Sequence, residues 1–163
     1  MLTIREANID DLPEMLAIYN DAILHLTATF DLEEQTIEER EKWFNAHGGR
    51  NPLIVAEVDG HVAGYASLSP FRDKEAYKDT TEISIYISKD FRGLGLGRQL
   101  MEEILNLAAR LNYHVIIAGI TSGNDGSVRL HEKYGFEFIG RFKEVGNKFG
   151  EWQSVDFYQL ILK

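Results

Sequence analysis

The sequence has no cysteine and only three prolines. Disulfides, thiolate metal sites and cysteine nucleophiles are therefore excluded, and the core must hold the fold unaided. Positive charge is also scarce: 17 Lys and Arg face 26 Asp and Glu, a formal charge of −9 spread along the chain. Nucleic acid is not an expected partner, because phosphate backbones require a basic footprint. Long apolar runs are missing too. The run from Val115 to Ile120 is far too short to span a bilayer, so no membrane partner is expected. The opening MLTIREANIDDLPEML has no basic region ahead of an apolar core, which predicts no secretory signal and a cytoplasmic location. The histidines show no H-E-x-x-H spacing, so no metal is expected. No G-x-S-x-G elbow is present, which disfavours a serine acyl-enzyme.

What the chain does have is alternation and helical periodicity. Its 163 residues are enough for one domain, 1–163, with a proper core. LTIRE reads as a first strand. Asn8 or Asp10 then caps a helix to about Leu26, with Leu12, Met15, Leu16, Tyr19 and Ile23 at helical spacing. TIEEREKWFNAH predicts a second helix, with Thr36 and Glu39 as a capping box. Asp59-Gly60 between two apolar runs predicts a hairpin. TEISIYIS puts Ile83, Ile85 and Ile87 on one face and Glu82, Ser84 and Tyr86 on the other. A helix to about Leu111, a strand HVIIAGI and a short helix closed by Gly135 follow. Two strands, Phe136 to Phe142 and Trp152 to Ile161, finish the chain. The order β-α-α-β-β-β-α-β-α-β-β predicts an α/β fold with a mixed sheet covered by helices.

Between strand and helix lies DFRGLGLGRQL, with glycines at 93, 95 and 97. Leu96, Leu100, Ile104, Leu107 and Leu111 form an apolar stripe, so the helix starts near Gly95 or Leu96. Its first turn offers unpaired N–H groups and the positive end of a dipole. A loop without Cβ atoms lets those amides approach an anion closely. Lys89, Arg92 and Arg98 reverse the local sign of an otherwise acidic chain. The Walker pattern and the dinucleotide fingerprint both fail here, the latter because its third glycine is missing. What remains is Arg92-x-x-Gly95-x-Gly97 directly after an alternating strand.

This segment resembles the pyrophosphate-binding signature of the GNAT superfamily of N-acetyltransferases, [QR]-x-x-G-x-[GA]. The resemblance implies a GNAT-type, mostly antiparallel twisted sheet flanked by helices, with acetyl-CoA as co-substrate. It assigns cofactor binding to Ile85, Tyr86 and Ile87 on the strand and to Arg92, Gly93, Leu94, Gly95, Leu96, Gly97 and Arg98 in the loop. Asn124, Ser127 and Lys133 join them from the short helix and its approach. IYNDAI, TATFDLE, EAYKDTTEISIYIS, NDGSVRLHEKYGF and VGNKFGEWQSVDFYQL are similar to the phosphinothricin and methionine sulfoximine acetyltransferases. That narrower resemblance implies acceptor residues Phe30, Arg72, Lys74, Glu75, Ala76 and Tyr77, and a homodimer. Lys74 stands where the phosphinothricin enzymes carry arginine.

Acetyl transfer requires a neutral amine, and an α-amino group titrating near 7.7–8.0 needs only a modest base. Glu82 is the candidate base, matching the base glutamate of the resembling enzymes. Tyr134, seven residues after Ser127, matches the general acid of many GNAT enzymes or packs at a helix end. His131 matches a histidine of the phosphinothricin group. The expected reaction is acetyl transfer to the α-amine of a small amino-acid analogue by direct attack. An acyl-CoA sensor without turnover and a protein or peptide N-acetyltransferase remain as alternatives.

Overall fold

The computed structural model describes residues 1–162. Its strands are β1 (Leu2–Glu6), β2 (Leu53–Val58), β3 (His61–Pro70), β4 (Thr80–Ile87), β5 (Val115–Thr121), β6 (Glu137–Lys148) and β7 (Glu151–Ile161). They form one sheet in the order β1-β2-β3-β4-β5-β7-β6. Neighbours are antiparallel throughout except β4 and β5, which run parallel. The helices are α1 (Leu12–His25), α2 (Ile37–Asn45), α3 (Leu96–Arg110) and α4 (Asp125–Lys133). The result is the α/β fold expected, a mostly antiparallel sheet flanked by helices.

Alternation on the strands divides the core in two. Ile54, Ala66, Leu68, Ile83 and Ile116 pack with Leu96, Leu100, Met101 and Ile104 of α3 on one face. Leu53, Val55, Val62 and Tyr65 pack with Leu12, Met15 and Ile18 of α1 on the other, joined by Trp43 and Phe44 of α2. The period-two pattern of β4 holds: Ile85 and Ile87 face α3, and Tyr86 packs on the α1 side. On that second face the guanidinium of Arg40 is buried between the rings of Tyr19 and Trp43, and donates to the Tyr65 hydroxyl at 2.8 Å.

Several boundaries differ from the sequence reading. Asn8 does form a cap, but of a 3₁₀ turn at Ile9–Asp11, with α1 starting afterwards at Leu12. Pro13 in its first turn fits there because that position needs no amide hydrogen. Strand β6 runs to Lys148, six residues past the expected end at Phe142. Register shifts in its pairing with β7 and a left-handed Glu144 (φ 54°) interrupt the alternation that would have betrayed it. The β6–β7 turn places Phe149 and Gly150 at φ 59° and 74°, so a phenylalanine sits where glycine or asparagine is usual. The Asp59-Gly60 turn formed as expected, with φ 50° and 84°. No described helix is long and apolar enough to cross a membrane.

Candidate active site

The parallel pairing of β4 with β5 covers only Thr80, Thr81 and Glu82 against Val115, Ile116 and Ile117. Beyond Glu82 the strands part. On one side β4 stays paired with β3 through Ile87, and on the other β5 stays paired with β7 through Thr121. The backbone edge of Ile83–Ile87 toward β5 is thus left without a strand partner. A narrow gap of about 80 Å³ opens between Ile83–Tyr86 and Ala118–Thr121. It continues into a cleft of about 590 Å³ lined by Ile85, Tyr86, Ile87, Arg92, Gly93, Gly95, Leu96, Gly97 and Arg98. Ile85, Tyr86 and Ile87, which the resemblance assigned to cofactor pairing, lie along this unpaired edge. An extended chain carrying amides would complete their ladder.

The three glycines have two different causes. Gly93 and Gly95 adopt φ of 81° and 78°, with open space where a Cβ would stand. Only glycine holds such angles cheaply, and Gly95 is itself the N-cap of α3. A Cβ on Gly97 would lie 3.3 Å from Leu130, so that glycine lets α3 and α4 approach. Arg92 and Arg98 line the cleft. Lys89 turns instead to Asp21 of α1, at 3.7 Å. Leu94 is 58 % exposed. Amides of a helix start, with two cations beside them, form a receptor for a phosphate group. A larger groove of about 710 Å³ runs along the outer side of α1. It lacks both the glycines and the β4 edge, and so lacks this chemistry.

Glu82 occupies the apex where β4 and β5 part. It is half-buried, and burial raises its pKa above the ordinary carboxylate range. Directly across the β3–β4 pair stands Ser69. His47 binds that serine: its Nδ1–H donates to the Trp43 carbonyl at 2.8 Å, leaving Nε2 to accept from Ser69 Oγ at 3.1 Å. A carboxylate kept partly out of water beside polar side chains is suited to taking up a proton.

On α4, Asn124 caps the helix by accepting from the Ser127 amide at 3.2 Å, and both residues line the cleft. The cleft-lining side chain one turn further on is His131. Its Nδ1–H donates to the Ser127 carbonyl at 2.7 Å, which leaves Nε2 as the acceptor. Burial lowers its pKa, so the ring is neutral at pH 7. Tyr134 is the C-cap of α4. The helix ends at Lys133, and Tyr134 is absent from the cleft lining: its hydroxyl, beside the cleft-lining Arg98, donates to Glu102 of α3 at 2.6 Å. Lys133 is exposed and also lies outside that lining. A four-residue step from Ser127 keeps to one helix face, whereas the seven-residue step runs off the helix end.

The residues expected to bind the acceptor fall into two places. Arg72, Lys74, Glu75, Ala76 and Tyr77 form the exposed β3–β4 loop, in which Glu75–Tyr77 is a 3₁₀ turn. Its root is close to Glu82, because Pro70↔Thr81 is the pair next to Ser69↔Glu82. Within the loop the Arg72 guanidinium lies 4.8 Å from the Phe71 ring and 5.8 Å from that of Tyr77. Phe30 lies elsewhere, in the segment after α1, against Gly146 of β6. Thr121, which the sequence reading did not single out, also reaches that segment, donating to the Thr27 carbonyl at 2.6 Å, and Tyr86 donates to that of Ala28 at 3.3 Å. These are tertiary contacts with no local pattern.

Comparison with known proteins places this geometry. Residues 4–154 match the acetyltransferase (GNAT) domain. The chain is 41% identical over 162 residues to the L-methionine sulfoximine/L-methionine sulfone acetyltransferase of Pseudomonas paraeruginosa, covering 98% of this chain and 94% of that protein. A Salmonella typhimurium acetyltransferase solved with its cofactor acetyl-CoA superposes with a TM-score of 0.95 at 37% identity, over 99% of this chain and 94% of that one. The crystal structure of a ribosomal-protein-alanine N-acetyltransferase from Brucella melitensis superposes with a TM-score of 0.94 at 42% identity, over 98% and 99% of the two chains. The parted strands, the glycine loop and a family match along almost the whole length lead to one conclusion: the chain belongs to the GNAT family and is an N-acetyltransferase.

Proposed function

We propose that this enzyme transfers the acetyl group of acetyl-CoA to the α-amine of a small amino-acid analogue, by direct attack within a ternary complex. One observation carries the reading: a half-buried carboxylate, Glu82, stands at the apex of a gap whose other end opens on an anion-receiving loop. The amides and arginines of 92–98 fit the pyrophosphate, and the unpaired edge of Ile85–Ile87 fits the amide-bearing arm. Acetyl-CoA supplies the activated acyl carbon; the chain supplies position and proton transfer. Glu82 takes the proton from the attacking amine, directly or through water. Neutral His131 offers a second acceptor at the cleft. A backbone amide of β4 stabilises the charge that develops on the carbonyl oxygen. As the C–N bond forms the thioester C–S bond breaks, and CoA leaves as its thiolate, which takes up the proton shed by the amine through Glu82 or solvent. Tyr134 is bound to Glu102, so this step assigns it no acid role.

On the acceptor side, Arg72, Lys74 and Tyr77 supply donors suited to a carboxylate and a tetrahedral oxygen-rich group. The protein acts in the cytoplasm as a homodimer, and needs no metal. The supports for a dimer are the exposed aromatics of the outer hairpin, Phe138, Phe142 and Trp152, which are 56, 57 and 65% exposed. A thiol-release screen with acetyl-CoA and varied acceptors tests the activity. Methionine sulfone or sulfoximine is expected to exceed phosphinothricin in kcat/KM, because a lysine at position 74 lacks the bidentate fork of arginine. All three should far exceed methionine, which would leave those donors unpaired. The Brucella structure named for a ribosomal-protein alanine favours a second reading, a peptide amino terminus as acceptor. Release on an Ala-starting peptide but on none of the analogues would establish that reading instead.

A further inference from the structure

The segment between α1 and Asp31 is fixed by side chains from remote strands that seize its backbone carbonyls. Thr121 holds Thr27 and Tyr86 holds Ala28. The third tether comes from the far end of the molecule's last hairpin. Lys148, at the tip of β6, donates from Nζ to the carbonyls of Leu26 and Thr29, both at 2.7 Å. Leu26 is the C-cap of α1, so the ammonium sits at the negative end of that helix dipole. Lys148 is only 2% exposed, and among the described residues no carboxylate lies within 4.0 Å of its nitrogen.

A buried cation with no carboxylate in direct contact, only Asp31 acting from farther off, is a poor source of stability, because an apolar side chain of similar size would cost less to bury. Its contribution is geometric: two carbonyls of one segment are held at one point. Two residues earlier, Gly146 admits the ring of Phe30. A Cβ there would stand 2.5 Å from Phe30 Cε2, although the backbone lies outside the left-handed region and does not itself demand glycine. The hairpin tip therefore fixes the segment's backbone through Lys148 and the Phe30 ring through Gly146.

We propose that Lys148 is a positioning residue for the Leu26–Asp31 segment on the acceptor side of the active site, and that Gly146 seats Phe30 there. The inference rests on the reading above that Phe30 faces the acceptor. Steady-state kinetics and backbone hydrogen exchange on Lys148→Met, Lys148→Arg and Gly146→Ala test it. In Lys148→Met the acceptor KM should rise about tenfold, with the acetyl-CoA KM changed less than about threefold, since misplacement of a positioned group is felt where that group acts. Amides 27–31 should exchange faster in that variant, and Lys148→Arg should restore part of their protection. Gly146→Ala should raise the acceptor KM while Lys148 keeps the amides protected. This second variant decides the matter if Lys148→Met does not fold. A wild-type acceptor KM in both variants, or an equal rise in both Michaelis constants, overturns the proposal. If the wild-type enzyme acetylates no small acceptor, the functional reading fails alone. Exchange at 27–31 in Lys148→Met then still decides the clamp: faster exchange upholds it, and unchanged exchange overturns it.

Discussion

The role proposed for Glu82 comes with a cost to the fold. Its pKa is raised by burial, so between the unfolded value, about 4.3, and the higher native one the folded state binds more protons. Stability therefore falls as pH rises through that window and stays lower above it. Glu82→Gln removes the buried charge and should melt at a higher temperature than wild type near pH 7. That advantage should vanish toward pH 4, where both are neutral, as calorimetry across pH would record. The same variant should lose roughly 10²-fold in turnover, the usual weight of a positioned base, with less loss at high pH where the amine deprotonates itself. A wild-type rate at neutral pH would return Glu82 to a strand-end residue. Its place was legible in the sequence because strand alternation fixes which face a residue takes. Tyr134 was not, because helical spacing says nothing about where the helix stops. The partners of Lys148 were hidden, since they lie about 120 residues away.

Among the elements, the glycine loop with the start of α3 was the most legible, because the apolar stripe and the loss of Cβ atoms report on the backbone directly. Replacing Gly95 with Asp should abolish acetyl-CoA binding in calorimetry while circular dichroism remains that of a folded protein. The space at that Cβ is open, so the variant acts through a strained positive φ and a carboxylate placed beside the phosphate receptor. Retained affinity would remove the loop from the cofactor site. Strand β6 was the least legible, and its register shifts explain why: a bulge breaks the two-residue period on which strand recognition depends. The parting of β4 from β5 could not be read at all. Each strand has an ordinary apolar pattern, and only their neighbours β3 and β7 determine where they diverge.

At the scale of the whole molecule, the outer hairpin presents its aromatics to solvent on the edge strand of the sheet. Sedimentation should give a dimer, and Phe142→Glu combined with Trp152→Glu should give a monomer, because charges on both residues would have to be desolvated at the contact. An unchanged dimer would move the interface elsewhere. The fold class was legible because the order of elements and their periods agree along the chain. The layout of the proposed acceptor residues was not, because Phe30 lies in the α1–α2 connection and Arg72–Tyr77 in the β3–β4 loop. The parted strands have one more consequence, for aggregation. Unpaired strand edges are templates for foreign chains, and most proteins hide them at the rim with charge, bulges or short length. Here two such edges lie inside the sheet and face each other across a gap of about 80 Å³. Each shields the other from a second polypeptide, whose side chains would not fit, while a slim unbranched chain can enter. The enzyme can thus keep an open ladder for its ligand without offering a seed for amyloid.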